Sequence, residues 1–276
     1  MASDAHAHPE DLFRIFPGAE EERRSLGIAC AASSSTAEEY YFHEKMAAAA
    51  IEDGAPPLYR CFAVHPQLPA FKMNNKQTTM SVSDFHDELN LLAALAAEGR
   101  IAAVGEAGFD LYSDEFRKTE TIQDELFSCH LEIASRHDLP LVLHVRRAMH
   151  KIFLYTKILK KLPAVIFHSW SGAPDEAFSL LRKGIRAFFS FGTTLLLNHK
   201  NAIHSCAALP ADHLLLETDA PYQPLRGKKN SSWKDMSLIL AAAAAVRKEG
   251  GAKQGTNQAE LEEITDRNFF NVFICK

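Results

Sequence analysis

The chain has few cysteines for its size. Five are scattered over 276 residues (Cys30, Cys61, Cys129, Cys206 and Cys275), their number is odd, and none forms a C-x-x-C pair. That excludes a disulfide-stapled scaffold and a thiolate zinc knuckle, and fits reduced thiols in the cytoplasm. No uninterrupted run of about 18 apolar residues exists, so no membrane span is expected. The opening Met-Ala-Ser-Asp shows no basic region followed by an apolar run, so no secretory leader is expected either. Basic charge is also short: 30 Lys and Arg stand against 35 Asp and Glu, for a net charge of −5. A protein that holds nucleic acid by bulk charge is usually basic. Any polyanion here must therefore be held by a local patch or by metal ions. No Pro- or Ser-rich linker divides the chain, and no repeat longer than a strand–helix unit is visible.

What is present is alternation. Short apolar runs recur at 4–8, 27–32, 59–64, 101–106, 141–145, 165–169, 187–191 and 214–218. They are largely apolar throughout, as strands buried on both faces of a parallel sheet should be. Helical patterns lie between them. Thr36-Ala-Glu-Glu39 is a capping box that opens a helix to about Asp53. Ser83 starts another that ends at Gly99, and a long amphipathic segment covers 119–138. Further helices are expected near 149–161, 174–183, 196–208, 233–248 and 258–270. Eight β-then-α units at this length predict an α/β fold of one domain, 1–276: a TIM-type (β/α)₈ barrel, with an open doubly wound sheet as the competing arrangement.

Polar residues cluster where the apolar runs end. His6 and His8 lie on the first run. Glu106 ends the fourth, His144 the fifth, His168 the sixth, and Asp219 follows the eighth. A barrel brings those ends to one face, where active sites form. Residues i and i+2 of a strand point to the same side, so His6 and His8 can close on one cation. Imidazoles with carboxylates suit zinc or a similar transition ion, and carboxylate-rich sites also take manganese or magnesium. A carboxylate such as Glu106 can bridge two ions. An H-x-H pair alone is weak, and a single strand-end histidine is more often a satisfied polar residue than a ligand. The joint pattern is stronger, because fold register sets the positions. His43, His86, His130, His137, His150, His199, His204 and His213 fall on helices or loops and read as surface or structural.

Several segments together resemble the TatD family of metal-dependent deoxyribonucleases, within the amidohydrolase superfamily. They are Asp-Ala-His-Ala-His (4–8), Ala-Val-His-Pro (63–66), Val-Gly-Glu-Ala-Gly-Phe-Asp (104–110) and Leu-Pro-Leu-Val-Leu-His-Val-Arg-Arg-Ala (139–148). His-Ser-Trp-Ser-Gly (168–172), Glu-Thr-Asp-Ala-Pro-Tyr (217–222), Arg-Gly-Lys-Lys-Asn (226–230) and Asn-Phe-Phe-Asn-Val-Phe (268–273) follow in family order. The resemblance implies a divalent-metal hydrolase holding one or two ions (Zn, Mg or Mn). Its first ion would sit on His6, His8, Glu106 and Asp219. Its second would sit on Glu106, His144 and His168, with Asp219 as general base. His65, Arg146, Arg226 and Lys228 would meet the substrate, expected to be a single-stranded DNA end cut by a monomeric, 3′–5′ exonuclease-like phosphodiesterase. Phe109 stands where the family usually has leucine, and Ser169-Trp170 where it has Cys-Phe. These changes bear on substrate shape more than on metal binding. Two other readings stay open: an amide or carboxylic ester hydrolase, such as a D-aminoacyl-tRNA deacylase, and a scaffold with a structural metal. A structural site needs only four ligands, whereas six are present.

Overall fold

The computed structural model describes residues 2–76 and 80–274. Eight strands form one sheet: β1 (Ser3–Ala7), β2 (Ala29–Ser34), β3 (Leu58–Phe62), β4 (Ala103–Asp110), β5 (Leu141–Arg146), β6 (Val165–Phe167), β7 (Ala187–Phe191) and β8 (Leu214–Leu216). They are hydrogen-bonded in chain order, and every pair is parallel. Helices fill the connections, so the expected barrel is borne out against the doubly wound sheet.

Alternation along the strands divides the apolar side chains into two sets. One set (Ala5, Ala29, Ala31, Cys61, Ala103, Val142, Ile166, Phe188 and Leu215) packs with Phe269, Val272 and Phe273 of the last helix, Gln258–Phe273. The other set, including Cys30, Phe62, Val104, Leu141, Leu143, Phe167 and Phe189, packs with the helices between strands. Cys30, Cys61, Cys129 and Cys206 are free thiols, and Cys275 lies outside the described residues.

The seam between the first and last strands is closed differently from the ladder. Thr218 donates to the Asp4 carboxylate from both its N–H (3.0 Å) and its hydroxyl (2.6 Å). Just beyond, Asp219 N–H donates to His6 O (3.0 Å) and His8 N–H to Ala220 O (2.7 Å).

The Thr36 capping box forms as expected: Thr36 Oγ1 accepts from Glu39 N–H, and the Glu39 carboxylate accepts from Thr36 N–H. Other boundaries differ. The segment 149–161 breaks into Met149–Leu154 and Thr156–Leu159. The helix expected from Leu196 begins only at Lys200, because Asn198 takes a left-handed backbone (φ +58°) and His199 Nδ1 caps Ala202 N–H. The helix expected from Ser83 starts at His86, after a 3₁₀ turn over Val82–Phe85 that Ser81 and Asp84 cap. Helices Pro9–Ile15, Ala19–Ser25 and Leu68–Lys76 stand where none was expected.

Candidate metal centre and its cavity

The C-terminal ends of the strands carry the polar residues to one place. His6 lies in β1 with His8 just after it, Glu106 in β4 and His144 in β5. His168 follows β6, and Asp219 follows β8. Two of these strands are irregular there. The β1–β2 register shifts by one between Asp4 and Ala7, and the β4–β5 register shifts by one between Val104 and Ala107. An extra residue of this kind bends a strand and re-aims its side chains. His6 and Glu106 sit on those two irregularities. Gly108 lets β4 press against β5. A Cβ there would lie 2.3 Å from His144 O, and its φ of +129° suits only glycine.

Five donor–donor distances define a first cluster. His6 Nε2 lies 3.3 Å from His8 Nε2, 3.1 Å from Glu106 Oε1 and 3.8 Å from Asp219 Oδ1. His8 Nε2 lies 3.3 Å from Glu106 Oε1 and 3.5 Å from Asp219 Oδ1. Four ligands set tetrahedrally at about 2.0–2.2 Å from one ion stand about 3.4 Å from one another. These spacings thus suit a common cation, and His6, His8 and Asp219 together could hold one. The other oxygen of Glu106 faces a second set. Its Oε2 is 3.0 Å from His168 Nε2, 3.4 Å from His144 Nδ1 and 3.5 Å from His65 Nε2. His168 Nε2 and His144 Nδ1 are 3.3 Å apart. One carboxylate therefore offers an oxygen to each set.

A further layer fixes the rings. His144 Nε2 meets Asp110 Oδ2 at 3.0 Å, which turns Nδ1 toward Glu106. Asp110 is fully buried and also accepts from Gln67 Nε2 (2.7 Å) and Tyr112 N–H (2.9 Å). His168 Nδ1 faces Glu217 Oε1 at 3.6 Å, and that oxygen accepts from Ser169 N–H at 2.7 Å. Asp219 Oδ2 accepts from Gln223 Nε2 at 2.6 Å, leaving Oδ1 for the histidines. Partners of this kind orient metal ligands and raise their basicity.

The electrostatics follow from this crowding. Burial works against ionisation of Glu106, but the His6, His168 and His65 imidazoles outweigh it and hold the carboxyl well below its usual range. Asp219 is lowered in the same way: burial is outweighed by the His8 hydrogen bond and the nearby imidazoles. Burial opposes protonation of His8, yet Asp219 and Glu106 push it up to about 10. His168 rises well above its ordinary value, with burial overcome by Glu106 and Glu217. Basic imidazoles facing ionised carboxylates are strong donors, for which a cation must compete with protons.

The clusters form one wall of a cavity of about 940 Å³, also lined by Ser33, Gln67, Phe71, Tyr112, Arg146 and Gln223. Ligand pockets commonly run to about 300–1,000 Å³, so this one is large.

A sequence profile described as TatD related DNase matches residues 3–274. The chain belongs to that family. Curated relatives include an uncharacterized metal-dependent hydrolase, YjjV, of Escherichia coli, 31% identical over 173 residues. They also include a 3′-5′ ssDNA/RNA exonuclease TatD of Cronobacter sakazakii, 31% identical over 195 residues. The matches cover 62% and 66% of this chain and span 61% and 69% of those relatives' own lengths. Among solved structures, the E. coli YjjV TatD homolog superimposes with a TM-score of 0.78 at 24% identity, covering 100% of this chain and 98% of that one. An uncharacterized amidohydrolase of Saccharomyces cerevisiae reaches 0.72 at 15% identity, covering 99% of this chain and 100% of its own. Family and barrel thus both agree with the sequence reading.

Of the residues that the TatD resemblance singles out, the fold gathers His6, His8, His65, Glu106, His144, His168 and Asp219 around the cluster, and Arg146 on the cavity wall. It does not bring Arg226 or Lys228 there. Both are exposed outside the cavity lining, and Lys228 Nζ is held by Asp235 at 2.6 Å. Lys228's charge is therefore matched by Asp235. His65 Nε2 stands 3.5 Å from Glu106 Oε2, where it could share a cation with Glu106 and His144. Of the substituted positions, Phe109 and Trp170 lie in the core, and only Ser169 reaches the cavity.

Asp110, Gln67, Glu217, Tyr112 and Arg147 join the site without being singled out by the sequence, although Asp110, Arg147 and Glu217 lie inside quoted motifs. Among the histidines set aside, His43 Nε2 accepts from Glu10 N–H and His130 Nε2 from Val64 N–H, both buried in structural roles. His199 is different, because it lines the cavity. Among the described residues, no helix is long and apolar enough to cross a membrane.

Proposed function

We propose that this TatD-family chain is a two-metal phosphodiesterase that removes nucleotides from the 3′ end of single-stranded DNA or RNA. The observation that carries the reading is Glu106, with one oxygen on each of two donor clusters at the wall of a large cavity. His6, His8, Glu106 and Asp219 would hold one ion, and Glu106, His144 and His168 the other, with His65 as a further donor beside it. Imidazoles outnumber carboxylates, which favours zinc or a similar transition ion over magnesium. Every ligand comes from one chain, so a monomer suffices. The buried free thiols fit a cytoplasmic enzyme.

Ions held by these residues would supply an acidified water, with a pKa toward about 7, and a counter-charge for the phosphoryl oxygens. Asp219 receives the proton of the attacking water. Its Oδ2 is held by Gln223, which fixes the carboxylate, while its Oδ1 faces His6 and His8. Arg146 faces the charge that develops on the phosphate. On a chain of net charge −5, attraction is confined to this mouth, which favours a strand end over a duplex laid along the surface.

The test is a substrate panel on protein stripped and reloaded with Zn, Mn or Mg. It includes end-labelled single strands, duplex and circular DNA, RNA, aminoacyl-tRNA and small esters. Metal-restored release of mononucleotides from 3′ ends is expected. Cleavage of the aminoacyl ester with intact phosphodiesters would overturn the reading in favour of a deacylase.

A further inference from the structure

Arg146 and Arg147 are adjacent at the end of β5, where successive side chains of a strand point to opposite faces. Here they do not. Arg147 takes a left-handed backbone (φ +55°), which a non-glycine residue rarely adopts. Both guanidiniums lie over the one ring of Tyr112, at 3.7 Å for Arg146 and 4.7 Å for Arg147. Neither side chain meets a carboxylate among the described residues, whereas Arg14, Arg24, Arg60, Arg100 and Arg117 all do. Tyr112, Arg146 and Arg147 all line the cavity.

The ring is itself anchored to the metal-binding apparatus. Tyr112 N–H donates to Asp110, whose other oxygen orients His144. Arg117 grips Tyr112 O at 3.0 Å, and Leu111 N–H donates to Arg146 O at 2.9 Å. A flat, delocalised cation stacked on an aromatic ring keeps its N–H edge free and pre-oriented for a phosphate. One such cation serves the reacting phosphate. A second, uncompensated and fixed beside it, calls for a second anion.

We propose that Arg147, held beside Arg146 by Tyr112, is a second phosphate subsite, which takes the backbone phosphate next to the one being cleaved. The enzyme would then read strand length, favouring an end with at least two phosphodiesters. This rests on the phosphodiesterase reading above.

The experiment compares kcat/KM for a dinucleotide, with one phosphodiester, and a trinucleotide, with two. Wild-type protein should prefer the trinucleotide by about tenfold or more, the size of a hydrogen bond to a charged group. Arg147→Ala and Tyr112→Ala should each bring that ratio down toward one, with the loss in KM more than in kcat. Tyr112→Phe, which keeps the ring, should retain most of the preference. Arg147 and Tyr112 are exposed, so folding of the variants should be undisturbed, and equal thermal midpoints check this. A wild-type ratio near one, or an unchanged ratio in Arg147→Ala, overturns the subsite while leaving the phosphodiesterase standing. Wild-type protein that cleaves neither oligonucleotide overturns both.

Discussion

Replacing Asp110 by Asn tests whether the second donor cluster depends on a residue that touches no ligand atom facing the ion. Asp110 Oδ2 accepts two hydrogen bonds, from Gln67 Nε2 and His144 Nε2, and Oδ1 accepts one from Tyr112 N–H. An amide can keep an oxygen on only one side. With the oxygen facing Gln67 and His144, the new N–H₂ opposes Tyr112 N–H. With the amide reversed, Gln67 can flip, but His144 must move its proton to Nδ1 and so lose the lone pair aimed at Glu106. The first arrangement loses a buried hydrogen bond and the second the Nδ1 lone pair, and both lose the negative charge that strengthens His144. Losing partners of this kind typically costs about 10–100-fold in metal affinity. That is roughly 1.4–2.7 kcal/mol, within the range for a hydrogen bond to a charged group. The assay is calorimetric titration of metal-free protein with manganese or zinc, fitted to two sites. The site on Glu106, His144 and His168 should lose affinity by that factor in Asp110→Asn, and the site on His6, His8 and Asp219 by less than about threefold. Equal weakening of both sites, or of neither, would refute the orienting role.

Asp219→Asn should lower kcat by at least about 10²-fold, and metal content should fall less than in His6→Ala; an undiminished kcat would remove Asp219 as the base. The phosphate contacts of Arg146 and Arg147 imply a salt slope of about −1.4 for log affinity against log salt on single strands. A much steeper slope, or circular DNA cut as fast as linear, would mean a larger binding surface than the cavity mouth. Burial depresses both His43 and His130 to about 3. The unfolded chain takes up these protons near pH 6.5 and the folded chain only near pH 3, so stability falls as pH drops through that window. At pH 5 each histidine should cost about 2 kcal/mol relative to neutral pH. Denaturant titrations at pH 7 and 5 check this, and His130→Asn should show a clearly smaller drop than wild type.

The barrel was legible because its strands are buried on both faces and read as apolar runs. Most of the proposed ligands were legible because they break those runs at one end. The one-residue register shifts under His6 and Glu106 were not. Nothing in the run of residues marks an extra residue in a strand, and only Gly108 hints at the close approach it accompanies. The helix at Pro9–Ile15 carried a start signal that went unread: Pro at the first position, with Glu10 and Asp11 in the first turn. Arg226 and Lys228, singled out by the resemblance, lie outside the cavity lining, because the path of their loop decides what they meet, and Asp235 holds Lys228. Arg147 was legible as a basic residue. Its position beside Arg146 depends on a left-handed backbone that no local pattern announces.

The seam between β8 and β1 has a consequence for how the molecule holds together. The first donor cluster takes His6 and His8 from one end of the chain and Asp219 from more than two hundred residues later. It therefore straddles the one junction that the strand ladder leaves open among the described residues. Until the last strand docks, no fragment can own that cluster, so completing the barrel and completing the binding site are a single event. An ion held there would act as a clasp between the first and last strands of the barrel. Its binding energy would enter the unfolding equilibrium by mass action, growing with free metal concentration. Chelation should then loosen amide protection at 3–8 and 216–220 before it does so elsewhere.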